Sequence, residues 1–217
     1  MPCLNKNQNG QSLLELVVAI GVITVGLFSV WNLFISNFNG EQESGARVLA
    51  INLAREGVEI VKNIRDSNWL YIDNNDNCSY NGIDYDPCNW DSGLSGDGTG
   101  VAQNIFSDSV YIDYANVDNI SDDKAKIYQD PTSGLYSHDN LGQPTIYRRF
   151  IEIKNICCAD VNSDLKCDDL SVDFTVKDTV CLESELKVGL DVKSTVSWSI
   201  NGQNRQTFVN ERFFNWK

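Results

Sequence analysis

The chain has 217 residues, of which 42% are hydrophobic, and its formal net charge is −13. This length suits one domain with one substantial core, and the hydrophobic fraction excludes general disorder. The negative charge argues against a nucleic-acid-binding protein, which needs a basic face to neutralise phosphates, and it disfavours binding to an anionic membrane surface.

The first element in chain order is a long apolar segment. Residues 16–35 read LVVAIGVITVGLFSVWNLFI and contain no Asp, Glu, Lys or Arg. A helix of this length spans about 30 Å, the thickness of the hydrocarbon core of a bilayer. A buried core helix rarely runs this far without a charge, and no A-x-A cleavage site follows, so we expect the segment to cross a membrane. Lys6 precedes it, which by the positive-inside tendency keeps the N-terminal end in the cytoplasm and the acidic remainder outside.

The cysteines agree with an extracytoplasmic location. Beyond the apolar segment lie Cys78, Cys88, Cys157, Cys158, Cys167 and Cys181. An even number on this side predicts disulfides in an oxidising compartment, whereas a zinc site is disfavoured because there is no C-x-x-C and the single histidine is distant. We expect Cys78 to pair with Cys88 across a short polar loop. The adjacent Cys157 and Cys158 are unlikely partners for each other because that ring is strained, so each is expected to take one of the remaining two, in either order.

The residues just before the apolar segment carry a motif. Residues 6–15 read KNQNGQSLLE, so that a glutamate stands at the mouth of the apolar helix, where a carboxylate is costly and usually functional. This run resembles the processing signal of type IV prepilins and pseudopilins: a short basic leader that ends in glycine, then a mature chain that starts with an apolar helix and has Glu as its fifth residue. The close resemblance covers roughly residues 6–40.

The resemblance implies a role for three residues. Gly10 would be the last residue of the leader, cut by a membrane prepilin peptidase on the cytoplasmic side. Gln11 would become the N-terminus and be N-methylated. Glu15 would pair with the N-terminal amine of a neighbouring subunit during filament assembly, since a carboxylate in hydrocarbon needs a partner.

The same resemblance implies partners and a location. The partners are other pilins or pseudopilins, the prepilin peptidase, an inner-membrane assembly platform and, before assembly, the lipid bilayer. The protein would be a single-pass membrane protein with an extracytoplasmic domain, and then part of a cell-surface or periplasmic filament. The chain departs from many family members in having Gln11 rather than Phe and in lacking a proline in the membrane helix. The missing proline argues against a major subunit, and the length of the chain with its elaborated segment at residues 67–109 favours a minor or tip subunit.

An amphipathic helix is expected to follow the membrane segment. Apolar residues recur at steps of three and four at Val48, Ile51, Ala54, Val58 and Val61. This stripe predicts that the helix continues to residue 66 and packs on a sheet.

A polar loop is predicted for residues 67–109, which are rich in Asn, Asp, Gly and Ser. Two interpretations stay open. The loop is either an ordinary solvated surface or a display loop that contacts a partner or a glycan through Trp69, Tyr71, Tyr80, Tyr85 and Trp90.

Strands are predicted for residues 110–217. The strand-like runs cover residues 109–114, 145–154, 170–177, 186–200 and 205–214, and a turn at residues 201–204 joins the last two. A helix followed by an antiparallel sheet is the α+β pattern, which agrees with pilin architecture. The chain thus divides into a leader at residues 1–10, a membrane and assembly helix at 11–38, and an extracytoplasmic pilin-like domain at 39–217.

One acidic cluster suggests a calcium site. Asp160, Asn162 and Asp164 supply oxygens at alternate positions, and Asp168 follows, which resembles the start of an EF-hand loop. The sixth position is Leu165 rather than Gly, so a polar hairpin loop held by a disulfide is the alternative.

Catalysis has little support in the sequence, because the single histidine, His138, has serine only as a sequence neighbour and no catalytic motif is present. We therefore expect a structural subunit of a type IV pilus or a type II secretion-like filament and not an enzyme. The alternatives are a filament-borne adhesin or other binding module, and a membrane-anchored domain that merely mimics the signal.

Overall fold

The computed structural model describes residues 9–75, 88–94, 97–103, 111–113, 120–159, 167 and 174–215. Over these residues the chain forms one long N-terminal helix and an antiparallel β-sheet on which the helix packs, so the expected α+β fold is confirmed. The chain divides into two compact units, Met1–Ala46 and Arg47–Lys217. Each is described by itself.

The helix, α1, runs from Asn9 to Asp73. Its part in the second unit buries Ala54, Val58 and Val61 of the stripe, whereas Ile51 is half-buried and Val48 is exposed. Apolar contacts continue past residue 66 through Trp69 and Ile72, which belong to or pack on the core. The helix therefore ends later than predicted. At the end of the helix, the last carbonyl oxygens need donors from outside the regular helical pattern. The side-chain amides of Asn74 and Asn75 donate to two of them, those of Leu70 and Tyr71, at 2.8 Å each.

Eight strands lie in the described residues, all paired antiparallel. In chain order they are β1 (Asp97–Gln103), β2 (Tyr111–Asp113), β3 (Lys126–Gln129), β4 (Tyr136–Ser137), β5 (Gln143–Ala159), β6 (Thr175–Lys177), β7 (Glu185–Ile200) and β8 (Gln203–Phe214). The sequence indicated β2 and β5 to β8. It missed β3 and β4, and it assigned β1 to the polar loop, where glycine and aspartate outweigh the few strand-forming residues.

Strand β5 organises the sheet. One edge of β5 pairs with β7 from Tyr147 to Ala159. Its other edge pairs in succession with β3, β1 and β6, and β2 and β4 extend the sheet beyond β1 and β3. Strand β5 therefore pairs directly with four of the other seven described strands.

The hairpin of β7 and β8 has a two-residue turn. Asn201 and Gly202 have positive φ of 52° and 75°, the pair of left-handed conformations that a type I′ turn requires. Strand β8 consequently begins at Gln203, and the predicted four-residue turn was too long. Pairing between the two strands is unbroken from Gly189–Phe214 to Ile200–Gln203.

The core lies between α1 and one face of the sheet. Its buried members are Val58, Ile60, Val61, Trp69, Trp90, Leu94, Ile112, Ile151, Ile153, Leu190, Val192 and Phe213. Each large apolar side chain that is fully buried contributes about 1.5–3 kcal/mol relative to exposure. At the closest approach, a Cβ on Gly57 would overlap the Ser194 Oγ and lie 3.0 Å from the Ser194 Cβ. Only glycine lets the helix come this close to β7.

We predict that Gly57→Val lowers the free energy of unfolding by about 1–3 kcal/mol, because the added carbons overpack the contact with Ser194. The measurement is urea unfolding of the detergent-solubilised full-length protein, followed by tryptophan fluorescence. In a Ser194→Gly background the same substitution should cost less, since the overlapping atoms are gone. An equal cost in both backgrounds would contradict this contact.

Candidate functional site

The first unit presents apolar side chains all around the helix. From Leu13 to Phe38 its large hydrophobic residues are 45–72% exposed. The helix is long and apolar enough to cross a membrane, and a domain built around a β-sheet follows it. An exposed apolar surface of this extent is unfavourable in water and is of the kind that lipid or other helices cover.

Polar groups inside this apolar segment are satisfied within the helix. The Thr24 hydroxyl donates to the Gly21 carbonyl oxygen at 2.9 Å, and the Ser29 hydroxyl donates to that of Val25 at 3.0 Å. A hydroxyl that bonds to its own helix needs no water, which is the condition for placing it in hydrocarbon.

Aromatic residues collect near the end of the charge-free segment. The ring centroids of Trp31 and Phe34 are 6.3 Å apart, and those of Phe34 and Phe38 are 5.0 Å apart. Their three- and four-residue spacing puts them on one side of the helix. The next charged residue is Glu41. Aromatic side chains in this position are typical of the boundary between hydrocarbon and water.

The residues of the processing motif lie at the start of α1. The backbone of Gly10 and Gln11 is helical, while the Gln11 side chain lies outside what the structure describes. The Glu15 side chain is exposed, next to the exposed Leu14 and Leu16. A carboxylate is thus presented on an apolar helix surface, available to a group from another molecule.

Two disulfides link the C-terminal end of β5 to later segments of the chain. Cys157 is joined to Cys181 and Cys158 to Cys167, with Cα–Cα distances of 5.7 and 5.9 Å. Successive residues of a strand point to opposite faces, so adjacent cysteines reach different segments. This agrees with the expectation that each would take a separate partner, and it selects one of the two orders left open.

The remaining predicted pairing is not tested. Cys88 is disulfide-bonded, but Cys78 lies outside the described residues. The proposed calcium ligands Asp160, Asn162, Asp164 and Asp168 also lie outside them. Within the part of the chain that is described, no group of His, Cys, Asp and Glu is placed to hold a metal ion.

The display-loop interpretation is wrong for two of its five aromatic residues. Trp69 and Trp90 are only 9% and 3% exposed and belong to the core. The Asn68 side-chain amide donates to the carbonyl oxygens of Trp90 and Ser92, which ties residues 88–94 to the helix. Tyr71 remains half exposed, and the two other tyrosines lie outside the described residues.

A buried cation lies beneath the helix and was not predicted. Arg149 is 0% exposed, its Nη1 donates to the Leu53 carbonyl oxygen at 3.0 Å, and the same nitrogen lies 3.5 Å from Glu56 Oε2. Burial lowers the pKa of the Arg149 guanidinium, and the Glu56 carboxylate opposes that effect. An arginine at an inward position of a strand is the only signal in the sequence, and it does not identify the partner.

His138 is buried and neutral. Its Nδ1 lies 3.0 Å from the Lys124 carbonyl oxygen and 3.2 Å from that of Lys126, which makes Nδ1 the protonated nitrogen. Burial, and next the positive charge of Arg149, lowers the pKa of His138 from 6.5 to about 3. Its hydrogen bonds hold backbone carbonyls and are not aimed at a nucleophile.

Comparison of the chain with known protein families, with curated proteins and with solved structures finds no match.

We predict that His138 makes the domain less stable in mild acid. The unfolded chain binds a proton at this residue below about pH 6.5, whereas the folded protein resists it down to about pH 3. The free energy of unfolding therefore falls as the pH drops through that window, by about 2 kcal/mol from this group between pH 7.5 and 5.

The measurement is urea unfolding of the wild type and of His138→Asn at both pH values. Asn keeps a donor near the position of Nδ1 but does not titrate. The wild type should lose about 2 kcal/mol more than the variant on acidification. Equal losses would show that the buried imidazole does not set the acid sensitivity.

Proposed function

We propose that the chain is a structural subunit, a minor pilin or pseudopilin, of a type IV pilus or a type II secretion-like filament. The observation that carries the proposal is an exposed carboxylate, Glu15, at the start of an apolar helix, five residues after Gly10 in the motif KNQNGQSLLE. A lone charge costs about 2.5 kcal/mol or more at the centre of a membrane helix, and a carboxylate at the start of one still needs a compensating partner.

The helix is suited to both environments that such a subunit occupies. Its apolar side chains are exposed on every side, so lipid can surround it before assembly and neighbouring helices can surround it afterwards. No atom lies within 4 Å of the position that a Cβ would occupy on Gly21 or Gly26, so each glycine leaves a shallow place where another helix can approach closely.

The second unit supports an extracytoplasmic place for the domain. The disulfides Cys157–Cys181 and Cys158–Cys167 require an oxidising compartment. They lie beyond the apolar segment in sequence, which agrees with a leader end retained in the cytoplasm. The partners would be other filament subunits, the prepilin peptidase and the assembly platform.

Processing is the first experiment. We expect the mature protein to begin at Gln11 with a methylated amine, and mass spectrometry of its N-terminal peptide measures this. Gly10→Leu should retain the leader and stay in the membrane, whereas Gly21→Leu, a glycine-to-leucine control outside the motif, should be processed normally. An intact Met1 on wild-type protein from filaments would refute the proposal.

Assembly is the second experiment. Glu15→Leu should insert and be processed nearly normally because the helix becomes more apolar, but its incorporation into sheared filaments should fall about tenfold or more, as an intersubunit ion pair is lost. Glu15→Gln should be intermediate, since it keeps a hydrogen bond. Glu41→Gln, outside the apolar segment, is the matched control. Normal incorporation of Glu15→Leu would show that the carboxylate does not guide assembly.

A filament-borne binding module is the second candidate, and one cavity favours it. A cavity of about 480 Å³ opens on the sheet face opposite α1, where polar side chains of three strands meet near the β7–β8 turn, among them Arg148, Ser197, Asn204 and Gln206.

The two candidates differ in one phenotype. If a strain that lacks this protein keeps its filaments but loses surface binding, the binding module is favoured. If the strain loses its filaments, the structural role is favoured.

A further inference from the structure

A short polar stretch of α1 lies between the apolar segment and the part of the helix that packs on the sheet. Residues 39–45 read NGEQESG and follow Phe38, the last of the three clustered aromatic residues. Among the described residues of α1, Ala50 is the first to be buried. Residues 39–45 are all exposed, and because seven residues make nearly two turns, the helix is exposed here on every side. We call this stretch the polar segment.

The composition of the polar segment is poor for a helix. Four of its seven residues are Gly, Asn or Ser, which rank low in helix propensity. Each glycine lowers the equilibrium constant for helix formation about fourfold to fivefold relative to alanine, so Gly40 and Gly45 together lower it about twentyfold. The polar segment contains no apolar side chain, whereas most helices in proteins gain their stability by packing an apolar face.

The two glycines differ from Gly57, where glycine permits a close contact. A Cβ on Gly57 would overlap Ser194, whereas no atom lies within 4 Å of the position that a Cβ would occupy on Gly40 or Gly45. Packing within the described residues therefore gives no reason for glycine at these two positions. What glycine provides there is backbone freedom, since it reaches conformations that other residues rarely adopt.

Both flanks of the polar segment are held more firmly than the segment itself. In lipid, the backbone hydrogen bonds of the apolar segment stay formed, because hydrocarbon offers no water to replace them. On the other flank Ala50, Leu53 and Ala54 are buried, and Arg149 donates to the Leu53 carbonyl oxygen. In the polar segment, water can replace the helical hydrogen bonds. Local opening of α1 is therefore least costly between residues 39 and 45.

We propose that α1 opens reversibly at residues 39–45 and that the polar segment is a hinge between the apolar segment and the domain. Seven residues span about 10 Å as a helix and up to about 24 Å when fully extended. Opening therefore gives the domain a change of direction and additional reach while the apolar segment stays in lipid. The hinge goes beyond the proposed filament function and does not depend on it, because it needs only a membrane anchor and the polar segment.

Hydrogen exchange is the first test, made on the full-length protein in lipid nanodiscs and read by mass spectrometry. Peptides that cover residues 39–45 should exchange about tenfold faster or more, after correction for intrinsic rates, than peptides from residues 50–61. Replacing both glycines, Gly40→Ala with Gly45→Ala, should slow exchange in the polar segment about twentyfold, the factor by which two glycines weaken the helix.

The control for this test is Asn52→Ala with Asn63→Ala. Both asparagines are exposed on the part of α1 that packs on the sheet, so the substitutions also favour helix but leave the polar segment unchanged. Exchange at residues 39–45 should stay as in the wild type. Equal exchange in the two regions of the wild type, or no slowing in the glycine variant, would overturn the proposal.

Distances between two spin labels test the bending itself, in a Cys3→Ser background that removes the cysteine before the apolar segment. Leu33→Cys with Val48→Cys places exposed labels on either side of the polar segment, and Val48→Cys with Asn63→Cys places them along the packed part of the helix. Both pairs have the same separation in sequence, which is about 22 Å along a helix. The first pair should give the broader distribution of distances, and the two alanines should narrow it. Equal widths, even with rapid exchange, would overturn the hinge.

Discussion

The docking of the helix on the sheet depends on one buried cation. Arg149 enters from β5, reaches the Leu53 carbonyl oxygen and lies beside Glu56 on the same helix. A buried guanidinium is tolerated only where acceptors and an opposite charge meet it, and removing one partner of such a pair costs about 3–5 kcal/mol. The position of the helix is therefore fixed by a requirement of charge as well as by apolar contact.

The close approach at Gly57 belongs to the same contact. Arg149 Cδ would lie 3.3 Å from a Cβ at this position, and Ser194 of the next strand still nearer. A larger residue would push the helix outward and lengthen the bond from the guanidinium to the Leu53 carbonyl. Glycine in the helix thus has a packing reason that outweighs its cost of about 1 kcal/mol in helix propensity.

The elements with strong periodicity could be predicted from the sequence. The apolar segment, the stripe on α1 and the alternating β7–β8 hairpin each have a local pattern that determines their type. Strands β3 and β4 have no such pattern, because their place depends on the free edge of β5. Trp90 was mistaken for a surface residue because its neighbours are polar, while the core that buries it comes from distant parts of the chain.

The candidate site was predicted differently from the fold. Gly10, Gln11 and Glu15 were identified from a short motif, and the roles proposed for them involve other molecules. The Arg149 contact could not be predicted, because its partner lies 96 residues away and nothing local to either residue indicates the other. The pairing of Cys157 and Cys158 with separate partners was predictable because a disulfide ring between adjacent cysteines is strained, but the choice of partner required the tertiary structure.

The central position of β5 determines when the domain can fold. Its longest neighbour, β7, and the strand that follows are the last elements of the chain, and Phe213 near the C-terminus belongs to the same core as Val58 on the helix. Contacts between such distant residues form slowly because a long loop must close first. The core therefore cannot be completed until the C-terminal hairpin has left the ribosome, so a nascent chain halted before β7 would lack Leu190, Val192 and Phe213 of the core.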